Sequence, residues 1–253
     1  MTATDTTARL AGAASTPRRL RRLARIAGVL YLAIFLIYPL STAVRGSLFV
    51  PGDAAATAEG IRADETLFRL GMAGEASIFL IEIAVAAVLY VLFRPVSRAG
   101  SLAAALARVA EGVVMAAGNV FTSIATLVAL SGAGFLAAFS AGQAEALGQF
   151  FQEANGSIVL VWGLFFALSL TLTGWLAFRS GFLPKIVGIL LGLAGLGYFA
   201  QSFGVLIFPE LAGPLEIVVI VLAIPGELLF ALWLLIKGVD TEAWMRKAEQ
   251  VQP

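Results

Sequence analysis

The sequence contains no cysteine and no histidine, and charged residues make up only 13% of its 253 residues. Without cysteine there is no disulfide bond, no thiolate nucleophile and no iron–sulfur ligation. Without histidine the chain lacks the commonest general base and metal ligand, and a serine–histidine catalytic pair is excluded. Soluble domains carry about 25% charged residues. The low charge therefore indicates that much of this chain is not solvated by water.

Hydrophobic residues are abundant by comparison, at 60% of the chain, with a mean hydropathy of +0.93. A soluble domain of this length has too little interior to bury so many apolar side chains, so the lipid bilayer must solvate them. Six apolar segments are long enough to cross a hydrocarbon core of about 30 Å. We place them at residues 26–44, 70–93, 102–130, 157–178, 185–208 and 215–236. The sequence predicts an all-α polytopic membrane protein whose six transmembrane helices form one bundle.

Basic residues are concentrated on one of the two sides of the predicted bundle. Basic loops stay in the cytosol, so we predict cytosolic N- and C-termini and a multi-pass protein of the bacterial inner (plasma) membrane. The expected organisation is a disordered basic tail (1–21), a membrane domain (22–237) and a short cytosolic tail (238–253). The N-terminal arginines are expected to contact anionic lipid headgroups. These residues are Arg18, Arg19, Arg21, Arg22 and Arg25.

Two connections on the opposite side are longer than a turn requires. Residues 53–67 have helical, amphipathic spacing with Asp53 as the N-cap, and residues 135–155 carry Leu147, Phe150 and Phe151 at helical spacing. Both are typical of interfacial helices that rest on the bundle. A lid that gates access for a solute is the alternative.

Ionisable side chains within the spans are the most informative feature, because insertion of a charge at a helix centre costs about 2.5–3.5 kcal/mol. Counting inward at about 1.5 Å per residue places four of them in one layer near the bilayer midplane. This deep layer contains Glu82, Arg108, Glu111 and Glu227. A second layer closer to the outside contains Glu75, Asn119, Gln201 and Glu216.

Arg108, Glu111 and Asn119 share one face of the third span, because each residue turns a helix by about 100°. Pro225 and Gly226 precede Glu227 and can kink or open the sixth span. Three deep carboxylates against one deep cation suggest a polar cavity for an ion, a proton or a small solute. The alternative is that Arg108 and one glutamate only fasten helices together.

Small residues recur along the fifth span, including Gly188 and Gly192. Such spacing lets helix backbones approach closely in lipid, either within the bundle or at a homo-oligomer contact. No sequence motif of a hydrolase, a metalloprotease or a nucleotide-binding loop is present. We therefore predict no catalytic residues, cofactor or metal, and no nucleic-acid partner.

Several segments resemble a bacterial membrane-protein family, domain-of-unknown-function family 4386. The most specific are residues 50–58 (VPGDAAATA) and 178–184 (FRSGFLP); residues 25–31, 67–71, 90–96 and 195–199 are also similar and occur in the same order. Members of the family often carry a histidine near the start of the fourth span, where this chain has Asn155 and Gly156. The resemblance implies a multi-span membrane protein and no established activity.

Two function classes follow from these observations. The first is a transporter or channel for a small solute or ion, with proton coupling through the buried glutamate and arginine side chains. The second is a non-catalytic membrane scaffold or sensor subunit whose buried charges only lock the helices.

Overall fold

The structure is a computed structural model that describes residues 3–250, and every regular element among them is helical. A π-helical turn lies at Ala116–Val120, and 3₁₀ turns lie at Gly134–Leu136 and Pro209–Leu211. The prediction of an all-α fold is confirmed. The helices are α1 (Ala3–Gly46), α2 (Ala54–Ala63), α3 (Glu65–Phe93), α4 (Arg98–Met115), α5 (Phe121–Leu130), α6 (Ala141–Ser180), α7 (Lys185–Ile207), α8 (Ala212–Ile236) and α9 (Thr241–Glu249).

Six helical stretches are long and apolar enough to cross a membrane. Each corresponds to one predicted span, and the third comprises α4, the π-helical turn and α5 together. The prediction of six spans is confirmed. The stretches are Pro17–Gly46, Glu65–Phe93, Arg98–Leu130, Ala141–Ser180, Lys185–Ile207 and Pro209–Ile236.

The six spans pack as a closed ring in which α1 contacts α3 and then α4, α6, α7 and α8 follow, with α8 returning to α1. Glycine permits the closest of these contacts. A Cβ atom on Gly174 of α6 would stand 2.5 Å from the backbone nitrogen of Gly192 in α7, and one on Gly28 of α1 would stand 2.6 Å from that of Leu235 in α8. Close backbone packing is the main source of helix association in lipid.

The stripe of small residues on α7 is used within this ring. A Cβ atom on Gly188 would meet the backbone of Gly174 at 2.7 Å, so Gly188 faces α6 of the same chain. The close packing predicted for Gly188 and Gly192 is therefore found inside the bundle. A homo-oligomer through these two glycines remains a prediction.

Two helices extend further than the sequence indicated. Helix α1 begins at Ala3, within the segment predicted to be a disordered tail, while Met1 and Thr2 lie outside the described residues. Alanine, leucine and arginine are strong helix formers, and adding residues to an existing helix needs no new nucleation. Helix α6 starts at Ala141 and continues unbroken through Gly156 into the fourth span.

The long helix α6 replaces the separate interfacial helix expected in residues 135–155. Its 40 residues correspond to about 60 Å of helix. A glycine inside a helix costs only about 1 kcal/mol relative to alanine, and side chains of the extension hold it to α5: Gln152 Nε2 donates to Thr126 Oγ1 at 2.7 Å. The expected helix after Asp53 is confirmed, since Asp53 Oδ1 accepts from the Ala56 amide at 2.9 Å and caps α2.

The C-terminal segment is part of the folded protein. Asp240 caps α9, accepting from the amides of Glu242 and Ala243 at 3.0 Å, and the Trp244 indole donates to the Leu92 carbonyl at 2.8 Å. These contacts place α9 at the end of the bundle where α3 ends and where Arg21, Arg25 and Lys237 border one cleft. We call this the basic end.

Candidate functional site

Arg108 is the centre of the candidate site, at the middle of the bundle on α4. It is buried to 1% exposure, a rare environment for an arginine in any protein. Its Nε donates to Glu82 Oε2 of α3 at 2.5 Å, and a terminal nitrogen donates to Glu82 Oε1 at 3.4 Å. The other terminal nitrogen donates to the Tyr31 hydroxyl of α1 at 2.6 Å. Arg108 therefore joins three spans through charge-assisted hydrogen bonds.

Aromatic rings enclose the guanidinium group. Its central carbon lies 4.5 Å from the ring centre of Tyr31 and 5.5 Å from that of Phe166 on α6. Phe230 of α8 packs edge-on to Tyr31 at 5.4 Å. A cation over a desolvated aromatic ring gains roughly 2 kcal/mol. These contacts extend the arginine's environment to five of the six spans.

Glu111 lies one turn after Arg108 and is fully buried. Its Oε1 is 3.8 Å from Arg108 Nε, but neither carboxyl oxygen has a hydrogen-bond partner among residues 17–250. A buried carboxylate without hydrogen bonds is strongly disfavoured in an apolar medium. Glu111 therefore differs from Glu82, whose two oxygens are both occupied by Arg108.

Glu227 reaches the same interior from α8, with 6% exposure. The Tyr198 hydroxyl of α7 neighbours the Glu227 carboxyl. The preceding Gly226 allows α8 to approach α7, since a Cβ atom there would stand 2.5 Å from the Leu190 carbonyl oxygen. The four residues predicted for the deep layer are thus all buried, and Glu82, Arg108 and Glu111 are in direct contact. We call these four residues the inner cluster.

A second group of buried polar side chains lies nearer the other end of the bundle. Arg45 of α1 pairs with Glu75 of α3 at 2.9 Å, and the same Arg45 nitrogen donates to Asn155 Oδ1 of α6 at 3.2 Å. Asn155 Nδ2 then donates to Thr122 Oγ1 of α5 at 3.0 Å. These four residues, which we call the outer cluster, connect four helices through one chain of polar contacts.

Asn119 lies in the π-helical turn between the two clusters and is buried to 2% exposure. The Thr122 hydroxyl donates to the carbonyls of Gly118 and Asn119 at 2.8 and 3.1 Å, which satisfies backbone groups that the irregular turn leaves available. Such π-helical turns occur frequently at functional sites. The sequence placed Asn119 on the buried face but could not indicate the turn.

Two residues of the predicted shallow layer are not part of either cluster. Gln201 on α7 is half-buried and makes no hydrogen bond to a side chain of the inner or outer cluster. Glu216, near the start of α8, is exposed. Glu216 shares a face of α8 with the buried Glu227, but nearly all residues from 211 to 218 are exposed, so this end of α8 lies outside the packed interior. Glu75 and Asn119 are buried as expected.

Sequence reasoning missed Tyr31, Arg45, Asn155 and Thr122. A tyrosine in an apolar span is read as core, and Arg45 was assigned to the loop beyond residue 44. The depth of Arg45 in the bundle could have indicated its partner. Helices α1 and α3 run antiparallel, so Arg45 at the end of α1 contacts Glu75, which lies inside α3. Asn155 was assigned to a connection that α6 replaces.

The interior around Arg108 is tightly packed. A narrow void of about 10 Å³ lies beside it, lined by Ser101 of α4, Ser169 and Thr173 of α6 and apolar side chains. This is room for about one water molecule. A polar cavity for an ion, a proton or a small solute remains a prediction. Among the described residues no three acidic side chains converge as a metal site.

Comparisons with known proteins agree with the fold and add no activity. An uncharacterized protein of Archaeoglobus fulgidus is 33% identical over 161 residues, which cover 64% of this chain and 79% of that protein. No solved structure matches the chain. Residues 26–238, which include all six spans from Ile26 onward and both clusters, match the family described as Domain of unknown function (DUF4386). The chain belongs to this family of unknown function.

Proposed function

We propose that this integral membrane protein moves protons or a small ion through its interior, alone or coupled to a solute, with Glu111 as the group that takes up and releases the proton or cation. The observation that carries the proposal is that Glu111 is fully buried and has no hydrogen-bond partner for either oxygen among the residues described. A carboxyl group in that position is stable only when it carries a proton or holds a cation.

The surplus of acid supports this assignment. Glu82 already neutralises Arg108 and uses both of its oxygens to do so. Fastening α3 to α4 therefore requires neither Glu111 nor Glu227. Buried ionisable groups beyond those needed for pairing mark proton and ion pathways in membrane proteins. We assign Glu82, Arg108 and Tyr31 to a fixed frame and Glu111 and Glu227 to the exchanging groups.

A line of buried polar residues along the third span provides the route. From the basic end it passes Ser101, Arg108, Glu111 and Asn119, and it then follows hydroxyl groups of α5. The void at Ser101, Ser169 and Thr173 lies between the basic end and Arg108. In this closed arrangement Phe166 and Tyr31 cover the middle, so passage requires helices of the ring to separate, as in alternating access.

A scaffold or sensor subunit is the second candidate, and the packing around Arg108 favours it. Arg108 makes three side-chain hydrogen bonds, to Glu82 and Tyr31, and the void beside it holds about one water molecule. In this interpretation Glu111 exchanges neither a proton nor a cation and remains neutral, packed in the interior.

Proton flux in proteoliposomes distinguishes the two functions. Vesicles that contain a pH-sensitive dye are given a potassium diffusion potential with valinomycin, and internal pH is followed after reconstitution. We expect the wild type to exceed protein-free vesicles, and Glu111→Gln and Glu227→Gln to abolish the difference. The matched control is Glu216→Gln, which removes an exposed carboxylate of α8 and leaves flux unchanged. Equal flux for the wild type and Glu111→Gln rejects the role of Glu111, and no flux for protons or sodium favours the scaffold.

The proposed orientation has both termini in the cytosol of a cell whose plasma membrane holds the protein. It is supported by the basic residues that gather at one end of the bundle. The absence of cysteine allows a direct test, because an introduced cysteine is unique. In intact cells a membrane-impermeant maleimide should label Ala138→Cys and leave Glu249→Cys unlabelled; the reverse pattern contradicts this orientation.

A further inference from the structure

Two clefts flank α1 at the basic end, and they share Arg21 and Arg25. The larger, of about 730 Å³, lies between α1, the loop 181–184, the end of α8 with Trp233 and Lys237, and the start of α9. The smaller, of about 500 Å³, is bordered by arginines at one end and by apolar side chains of α1 at the other. We call the two clefts together the α1 groove.

Positive charge in the α1 groove has no ion-pair partner in the part of the chain whose side chains the structure describes. Arg18, Arg21, Arg22 and Arg25 make no ion pair among residues 17–250. Of the acidic residues on its border, Asp240 accepts two amide hydrogen bonds as the cap of α9. Glu242 lies 3.9 Å from Arg246, its i+4 neighbour. The groove is therefore a cluster of exposed cations with no counter-charge among the side chains of residues 17–250.

Apolar surface continues the groove from the arginines toward the bilayer. Ile26 and Val29 follow Arg25 on α1, and Val29 is 53% exposed. Trp233 borders the groove on the opposite side, beside Lys237, at the level where tryptophan side chains anchor a protein to the headgroup region. Cations at one end and an apolar wall below them match the headgroup and acyl chain of a phospholipid.

We propose that the α1 groove is a binding site for an anionic glycerophospholipid. Its phosphate contacts Arg21, Arg25 and Lys237, and one acyl chain lies along Ile26 and Val29. The site is distinct from the inner cluster, and the inference does not depend on ion movement. Basic residues near a membrane surface are attracted to anionic lipids by about 1 kcal/mol for each cation. The proposal assigns this attraction to one defined groove.

Native mass spectrometry of the full-length protein, released from detergent, tests the proposal by titration with dioleoyl phosphatidylglycerol or dioleoyl phosphatidylcholine. The first lipid should bind at least about tenfold more tightly when it is phosphatidylglycerol. Both lipids carry a phosphate, but phosphatidylcholine also carries a choline cation, which the cations of the groove repel. Arg21→Gln/Arg25→Gln should lose most of that preference. Lys237→Gln should lose about fivefold. Arg94→Gln/Arg98→Gln is the matched control, since it removes the same charge from exposed residues of the α3–α4 connection outside the groove and should keep the preference.

Three results overturn the proposal. Equal affinity for the two lipids removes the requirement for negative charge. An equal loss in the Arg94→Gln/Arg98→Gln control shows that only the net charge of the basic end matters. The third result shows a phosphate site in which the apolar wall has no role. It is either complete displacement of phosphatidylglycerol by millimolar inorganic phosphate or equal binding of a phosphatidylglycerol whose acyl chains have six carbons.

Discussion

The inner and outer clusters both place one arginine against glutamate inside the bundle, but they complete the arrangement differently. Arg108 is held by both oxygens of Glu82 and by Tyr31 and is enclosed by aromatic rings. Arg45 shares one nitrogen between Glu75 and the amide of Asn155, and the contacts continue through Thr122. The inner arrangement has an acid in excess, whereas the outer arrangement continues from one ion pair through the neutral side chains of Asn155 and Thr122.

Depth explains this contrast. The Arg108 side chain is 2% exposed and that of Arg45 is 11% exposed, close to the end of α1. Where water is remote, a cation must find its whole coordination within the protein. Nearer the end of a span, a long arginine side chain reaches polar groups and the interface. Charge pairs at the two depths should therefore differ in their contribution to stability.

Removing the inner cation should have the largest effect. Arg108→Gln leaves Glu82 buried without its partner, so we expect a loss of about 3–5 kcal/mol in the free energy of unfolding. The measurement is unfolding by sodium dodecyl sulfate in mixed micelles, followed by tryptophan fluorescence. Loss of less than 1 kcal/mol would contradict the description of Arg108 as the central fastening residue.

Removing the outer cation should have a smaller effect. Arg45→Gln breaks the pair with Glu75 but keeps a side-chain amide that can donate to Asn155, so we expect a loss of about 1–3 kcal/mol. Arg69→Gln is the control, because its pair with Glu65 is half exposed and contributes little, within about 0.5 kcal/mol. If Arg45→Gln lowers the free energy of unfolding as much as Arg108→Gln does under the same conditions, the proposed dependence on depth is wrong.

The hydroxyl of Tyr31 should contribute least to the inner cluster. Tyr31→Phe keeps the ring 4.5 Å from the guanidinium carbon and removes one hydrogen bond at 2.6 Å. We expect a loss of about 1 kcal/mol, whereas Tyr31→Leu, which also removes the ring, should cost more. Equal losses for both variants, measured by the same unfolding assay, show that the ring does not stabilise the cation.

The sequence predicted the spans and the inner cluster because both depend on properties that act along the chain. Span length and hydropathy define the helices, and counting depth brings Glu82, Arg108 and Glu111 to one level. The outer cluster was missed because Arg45 and Asn155 lie at span boundaries, which are the least certain positions in any such prediction.

Other features depend on tertiary contacts that no local pattern encodes. The π-helical turn at Asn119 is supported by Thr122 and by packing against α6. Glu216 is exposed because nearly all residues from 211 to 218 are exposed, whereas Glu227 on the same face of α8 is buried. The packing around Arg108 could not be predicted from the sequence either, because the aromatic rings that enclose it come from helices far apart in the chain.

The central claim is that Arg108 is fastened by Glu82 and that Glu111 is a separate group. Two double-mutant cycles test it most directly, one between Arg108→Gln and Glu82→Gln and one between Arg108→Gln and Glu111→Gln, with stability measured in mixed micelles. We predict a coupling energy of about 3 kcal/mol or more between Arg108 and Glu82, and below about 1 kcal/mol between Arg108 and Glu111. Equal coupling energies in the two cycles would contradict the claim, because Glu111 would then be a second fastening partner of Arg108.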